Sequence, residues 1–245
     1  MSIRGLPPTV SEFRRQYRTL EVSPHYSGIL HFLFTSVSSL AVIGLSIGRV
    51  HGVTPLEWLV VPLTFLYANG VEYIGHKGPM HHPMRFLKVL FNRHALQHHR
   101  FFTHEAMAYE TPQDFQMVLF PPMMIVFFIG FHAAPIGIAF YYLVSSNVAL
   151  LFTATAIGYF LIYEWLHLSY HLREGSLVGR LPFMKALRQL HTQHHNPALM
   201  SSYNFNITFP ICDFLFATRF RGRPVPETGP PNTEDVQNAK PPLSS

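Results

Sequence analysis

GILHFLFTSVSSLAVIGLSIG, residues Gly28 to Gly48, contains no charged side chain. A helix needs about 20 predominantly apolar residues to cross the hydrocarbon of a bilayer, so this stretch is the first predicted span. A turn over Arg49 to Thr54 leads to Pro55, a residue suited to a helix start, and to a second apolar stretch, 55–75, with Trp58 where an interfacial aromatic anchor would lie. The chain is apolar again over 116–143, where Pro121, Pro122 and Pro135 predict a kinked or re-entrant helix. Ser145, Ser146 and Asn147 mark a turn before a fourth span over 148–166. The reading is an all-α integral membrane protein with four transmembrane helices in two hairpins.

Composition agrees. Of the 245 residues 48% are apolar and 13% charged, about half the charge of a soluble globular domain. The single cysteine, Cys212, rules out an intramolecular disulfide and a cysteine-based metal site. The net charge of +5 comes from basic residues that flank the apolar stretches, which suits anionic lipid headgroups better than nucleic acid. Residues 1–27 lack the apolar core of a signal peptide and read as a cytosolic lead-in with Arg14 and Arg15 near the headgroups. The Pro-rich tail, 223–245, is expected to be disordered, and 28–222 to form the membrane-embedded domain. Lysines and arginines gather in the lead-in, in 76–114 and after 167, while the hairpin turns carry only Arg49. The positive-inside rule then puts both termini on the cytosolic side. An ER membrane and a bacterial inner membrane fit equally.

Four histidine clusters fall on that side: His76 and His81; His94, His98 and His99; His167 and His171; His191, His194 and His195. Ten imidazoles exceed the four ligands of a tetrahedral ion and the six of an octahedral one, so the count implies two metals. His94 and His98, like His167 and His171, are four apart, the helical spacing that lets two rings reach one ion. HKGPMH, His76 to His81, spans five and needs a break in the helix. His25, His31, His51 and His132 are isolated and read as packing or headgroup residues, while His82 and His104 lie beside the clusters without helical partners. Glu72, Glu164 and Glu174 could orient ligand imidazoles or be ordinary interfacial charges.

Imidazole suits zinc, iron or copper and does not choose among them. The setting favours oxygen chemistry, because a two-metal site beside an apolar bundle could meet an acyl chain, and cleavage of an unactivated C–H bond needs an oxygen-activating metal. A metal transporter or metal-binding membrane protein is the alternative, although its ligands belong near the bilayer midplane. A zinc hydrolase would need fewer ligands and a general base.

EYIGHKGPMHHP (Glu72 to Pro83), RHALQHH (Arg93 to His99), Pro121-Pro122, GYFLIYEWLHLSYH (Gly158 to His171), LHTQHH (Leu190 to His195) and NFNITFPICDFLFAT (Asn204 to Thr218) together resemble the fatty acid hydroxylase and sterol desaturase superfamily. The likeness is closest to the fatty acid 2-hydroxylase branch and covers roughly 60–220. It implies a four-helix membrane anchor under a cytosolic helical cap and a membrane-bound non-haem di-iron oxidoreductase that hydroxylates or desaturates a lipid with O2. Carried over by position, the iron ligands would be His76, His81, His94, His98, His99, His167, His171, His191, His194 and His195. Electrons would come from a cytochrome b5 or ferredoxin-type donor acting in trans, with its reductase. Two departures stand out: three residues separate His94 from His98 where the hydroxylases have two, and Ala217 stands where the closing motif has glycine.

Overall fold

The computed structural model describes residues 8–173 and 175–222, so Glu174 and the tail expected to be disordered lie outside the described residues. Its regular elements are helical. Among the described residues, three stretches are long and apolar enough to cross a membrane: Gly28–Ile47, Pro112–Leu143 and Ser146–Tyr170.

Helix α1 covers Pro8–Leu20 and α2 covers Gly28–Ile47, the latter capped by the Ser27 side chain, which accepts from the Leu30 amide. The second expected span is shorter than read. Thr54 and Glu57 form a reciprocal cap, with the Thr54 amide donating to Glu57 Oε2 at 2.8 Å and the Glu57 amide to Thr54 Oγ1 at 3.3 Å. A tight 3₁₀ turn, Glu57–Leu59, follows, and α3 proper runs over Val60–Gly75, only sixteen residues. The third stretch is interrupted as its prolines require: the chain leaves the helix at Leu119 to Pro121, resumes at Met123, widens into a π-helical turn over Phe128–Ala133 and ends as α4, Ala134–Leu143. Ser145 caps α5, Ser146–Tyr170. This helix runs four residues past the expected end, so His167 belongs to it rather than following it. Helix α6 covers Pro182–His194, with proline in its first turn.

α5 is the central post, packed against α2, α3 and α4. Helix α2 turns its small and polar side chains inward, with Thr35, Ser36, Ser39 and Ser46 buried while Leu30, Val37 and Leu45 are exposed. That is the arrangement of a helix in lipid, where close backbone approach and interhelical hydrogen bonds replace hydrophobic burial. The Trp165 indole donates to Ser36 Oγ at 3.0 Å across this contact. The two hairpin turns meet at one end, where Ser145 donates to Glu57 and Asn147 Nδ2 donates to the His51 carbonyl at 2.9 Å. The histidines gather at the other end.

The expectation for Arg14 is overturned. Its side chain is fully buried within the protein, because the apolar face of α1 with Phe13 and Tyr17 packs on Phe101 and Phe102 and carries the guanidinium inward. Arg15, one residue on, is exposed and pairs with Glu12.

Gly28 permits the closest contact between α2 and the third stretch, since a Cβ there would lie 1.8 Å from the Pro112 carbonyl oxygen. Gly28→Ala should therefore lower the thermal stability of the detergent-solubilised protein by about 1–3 kcal/mol. Gly44→Ala, which meets nothing within 4 Å, should leave it unchanged or slightly raised.

Candidate metal centre

The ten histidines singled out by the sequence come together in one buried volume. Among the described residues, the donor nitrogens of His76, His81, His94, His99 and His194 lie within 4.8 Å of one another, as do those of His98, His171, His191 and His195. His167 joins the second group at its edge, its Nε2 3.3 Å from His98 Nε2.

Sequence spacing does not sort them into these groups. His94 and His98 were expected to share an ion, yet they fall in different groups, and His194 separates from His191 and His195. The reason is the backbone. His76–Met80 and Asn92–His98 are π-helical, with turns wider than those of an α-helix. In such a turn residues five apart return to the same side. His76 therefore meets His81, with Nε2 atoms 3.3 Å apart, and His94 meets His99 at 3.1 Å. No break in the helix is needed at Gly78-Pro79, and the extra residue between His94 and His98 is absorbed by the second π turn. The signal was present in the sequence as two five-residue spacings, 76/81 and 94/99.

Backbone carbonyls set the rings. His76 Nδ1 lies 2.5 Å from the Phe205 oxygen, His98 Nδ1 2.8 Å from that of Met117, His171 Nδ1 2.7 Å from that of Met107, His194 Nδ1 2.9 Å from that of Tyr203, and His195 Nδ1 2.5 Å from that of Phe102. A carbonyl can only accept, so each of these rings carries its proton on Nδ1 and presents a bare Nε2 lone pair.

Those lone pairs face one another. His98 and His195 both donate through Nδ1, yet their Nε2 atoms are 3.1 Å apart. Two bare lone pairs at that distance repel. Protonation would relieve the repulsion, but burial holds the imidazoles neutral: desolvation pushes His76 down to about 4 and His98 to about 3, and lowers His195 well below its ordinary value. A cation shared among the nitrogens is the remaining solution. Nitrogens bound at about 2.0–2.1 Å to one tetrahedral ion lie about 3.3 Å apart, close to the 2.8–3.3 Å separations found within the groups. The donor set fits two metal ions.

The acidic residues do other work than expected. Glu72 bonds to no imidazole; it accepts from the amides of Ile207 and Thr208, and from the hydroxyls of Thr208 at 2.6 Å and Tyr159 at 2.5 Å. Glu164 accepts from the Phe120 amide, which the break before Pro121 leaves without a helical partner. Asp213 accepts from the amides of Phe205 and Asn206 at 2.9 and 2.7 Å and from the Thr218 hydroxyl at 2.7 Å. Burial raises the Asp213 carboxyl above its ordinary value, and these donors oppose the rise. Together Glu72 and Asp213 fix the segment whose carbonyls hold His76 and His194.

The bland histidines remain so. His31 is bonded to Tyr26 and to the Phe120 carbonyl, His132 stacks on Tyr67, and His82 is exposed. His104 belongs to neither group, and both of its ring nitrogens are buried without a hydrogen-bond partner.

An apolar cavity reaches the centre. Tyr67, Val71, Met124, Phe128 and Phe160 line its outer part and His76 its inner part. A second cavity shares Met80, Leu90, Phe120, Met124 and Tyr163 with the first and is lined by His94, His98 and His167. Two adjoining apolar cavities thus border both histidine groups.

No family model and no curated protein matches the chain. Among solved structures, full-length Scs7p, in which only the hydroxylase domain is visible, matches with a TM-score of 0.53 and 17% identity, over 81% of this chain and 68% of that one. The likeness is one of fold. It agrees with the fold that the resemblance carried by the histidine motifs implies.

Ala217 explains the glycine of the closing motif. Its φ is +54°, in the left-handed region that a Cβ disfavours. Ala217→Gly should raise stability by about 0.5–1 kcal/mol, the relief of strain exceeding the entropy glycine adds to the unfolded chain. An unchanged melting temperature would contradict it.

The metal-free protein should be acid-sensitive. The unfolded chain's histidines protonate near pH 6.5, whereas in the folded state His76 and His98 resist protonation down to about 4 and about 3. The unfolded state thus binds more protons in between, and stability falls as pH drops from 6.5 through that window. Thermal melts of chelator-treated protein between pH 7.5 and 5 should show the fall, and a flat profile would contradict it.

Proposed function

We propose that the chain is an O2-dependent di-iron lipid hydroxylase or desaturase acting on an acyl chain at the cytosolic face of its membrane. The observation that carries this reading is the pair of adjoining apolar cavities at the histidines, one lined by His76 and the other by His94, His98 and His167. A hydrocarbon segment lying there would pass both proposed ions, and the lining would keep water from the reacting carbon.

In this reading the first iron is held by His76, His81, His94, His99 and His194, and the second by His98, His167, His171, His191 and His195. Iron so held supplies activation of O2 and cleavage of an unactivated C–H bond, which no side chain can perform alone. The protein's part is to hold the imidazoles neutral and aimed. The Nδ1 bonds to backbone carbonyls fix the tautomer, and burial excludes competing protons. Electrons would be delivered by a cytochrome b5 or ferredoxin-type donor. Helix α3, extended by the turn at Glu57–Leu59, would serve as the fourth membrane helix. The lysine and arginine distribution supports a cytosolic centre in an ER or bacterial inner membrane.

A metal transporter is disfavoured by the same cavities, whose lining is overwhelmingly apolar and whose one carboxylate, Glu72, is engaged by Ile207, Thr208 and Tyr159.

Elemental analysis of untagged, detergent-purified protein should give about two metal ions per chain. His195→Ala should lose metal and all activity while still inserting in the membrane, because the spans are untouched. Activity on lipid should also require an added electron donor. Full turnover by His195→Ala, or by wild type with O2 alone, would overturn the assignment.

A further inference from the structure

The segment 101–108 offers its carbonyls to two kinds of donor in alternation. The oxygens of Phe102 and Met107 receive His195 Nδ1 and His171 Nδ1, both of the second histidine group. The carbonyls beside them receive Arg14: its Nε reaches the Phe101 oxygen at 2.8 Å, its Nη2 that of Ala106 at 2.7 Å and its Nη1 that of Ala108 at 3.0 Å. Each carbonyl that orients an imidazole is thus adjacent in sequence to one or two held by the guanidinium. Arg14 also lies over the rings of Phe101 and Phe102, 5.0 and 5.2 Å from their centroids.

A fully buried arginine is rare because taking the charge out of water is costly. Here three carbonyl dipoles offset the cost, and the planar fork of five N–H groups imposes one mutual orientation on the peptides it holds. Lysine, a point charge on a flexible stem, cannot do the same. The first histidine group takes its carbonyls from elsewhere, Phe205 and Tyr203, on the segment secured by Asp213 and Glu72. None of the hydrogen bonds of Arg14 goes to an imidazole.

We propose that Arg14 is a positioning residue for the second metal site alone, aiming His171 and His195 through the peptides it locks. α1 is then a working part of the centre. The inference rests on the two-metal reading above.

The test is metal stoichiometry and affinity in the full-length, detergent-purified protein, titrated with Zn2+ as a redox-inert probe. Wild type should take up two ions. Arg14→Met should keep one tightly and bind the other at least about tenfold more weakly, the scale on which partners of metal ligands act. In the Arg14→Met background, His191→Ala should remove no further tight site, whereas His81→Ala should remove the remaining one. Arg14→Lys, which preserves the charge, should give the same split and serves if the methionine variant fails to fold. Folded variants that retain both sites at wild-type affinity, or weaken both equally, would overturn the proposal. Fewer than two ions in wild type would instead overturn the two-metal reading, and the assignment of Arg14 with it.

Discussion

Five Nδ1–H bonds to main-chain carbonyls govern what the buried imidazoles can do. They leave the lone pairs pointing inward, where without a cation they would repel. Carbonyls free to accept such bonds do not come from the middle of an α-helix, whose oxygens are already paired. They come from the irregular segment around 102–107, from the last turn of the short helix Phe115–Val118 and from the irregular segment around 203–205. Irregular backbone in a buried place must itself be satisfied, and three charged side chains do this: Arg14 for the first of these segments, Asp213 and Glu72 for the last. The polar end of the molecule is thus a nested arrangement in which charge holds backbone, backbone holds histidine, and histidine would hold metal.

The apolar end follows a different rule. Exposed leucine, valine and phenylalanine face outward on α2, and serine and threonine face α5. The prolines that break the third stretch free the Phe120 amide, which Glu164 takes up, and the same break opens the cavity towards His98 and His167. A feature that would weaken an ordinary helix here lines the cavity that reaches the histidines.

Much of this was legible in the sequence. The apolar stretches, the turn at Ser145 to Asn147, the proline interruption and the identity of the ten histidines all follow from composition, length and clustering. Their division into two groups did not, because α-helical spacing was the wrong ruler for segments that are π-helical, and His94 and His98 were paired on it. Glu72 and Glu164 lie near the clusters in sequence, but their donors are main-chain amides and, for Glu72, the hydroxyls of Thr208 and Tyr159, which no motif displays. Arg14 was misread for the same reason. Its partners are the carbonyls of Phe101, Ala106 and Ala108, about ninety residues away, and nothing local distinguishes it from its exposed neighbour Arg15.

Each group draws on distant parts of the chain. The first needs His76, His94 and His194 with carbonyls at Tyr203 and Phe205; the second needs His98, His171 and His195 with carbonyls at Phe102, Met107 and Met117. Neither can be half-built on a ribosome and wait. Until α6 and the segment after it have emerged, the earlier histidines would be a set of incomplete chelators, open to whichever ion arrives. The order of the chain thus makes selection of the metal a late event, one that falls to the finished fold.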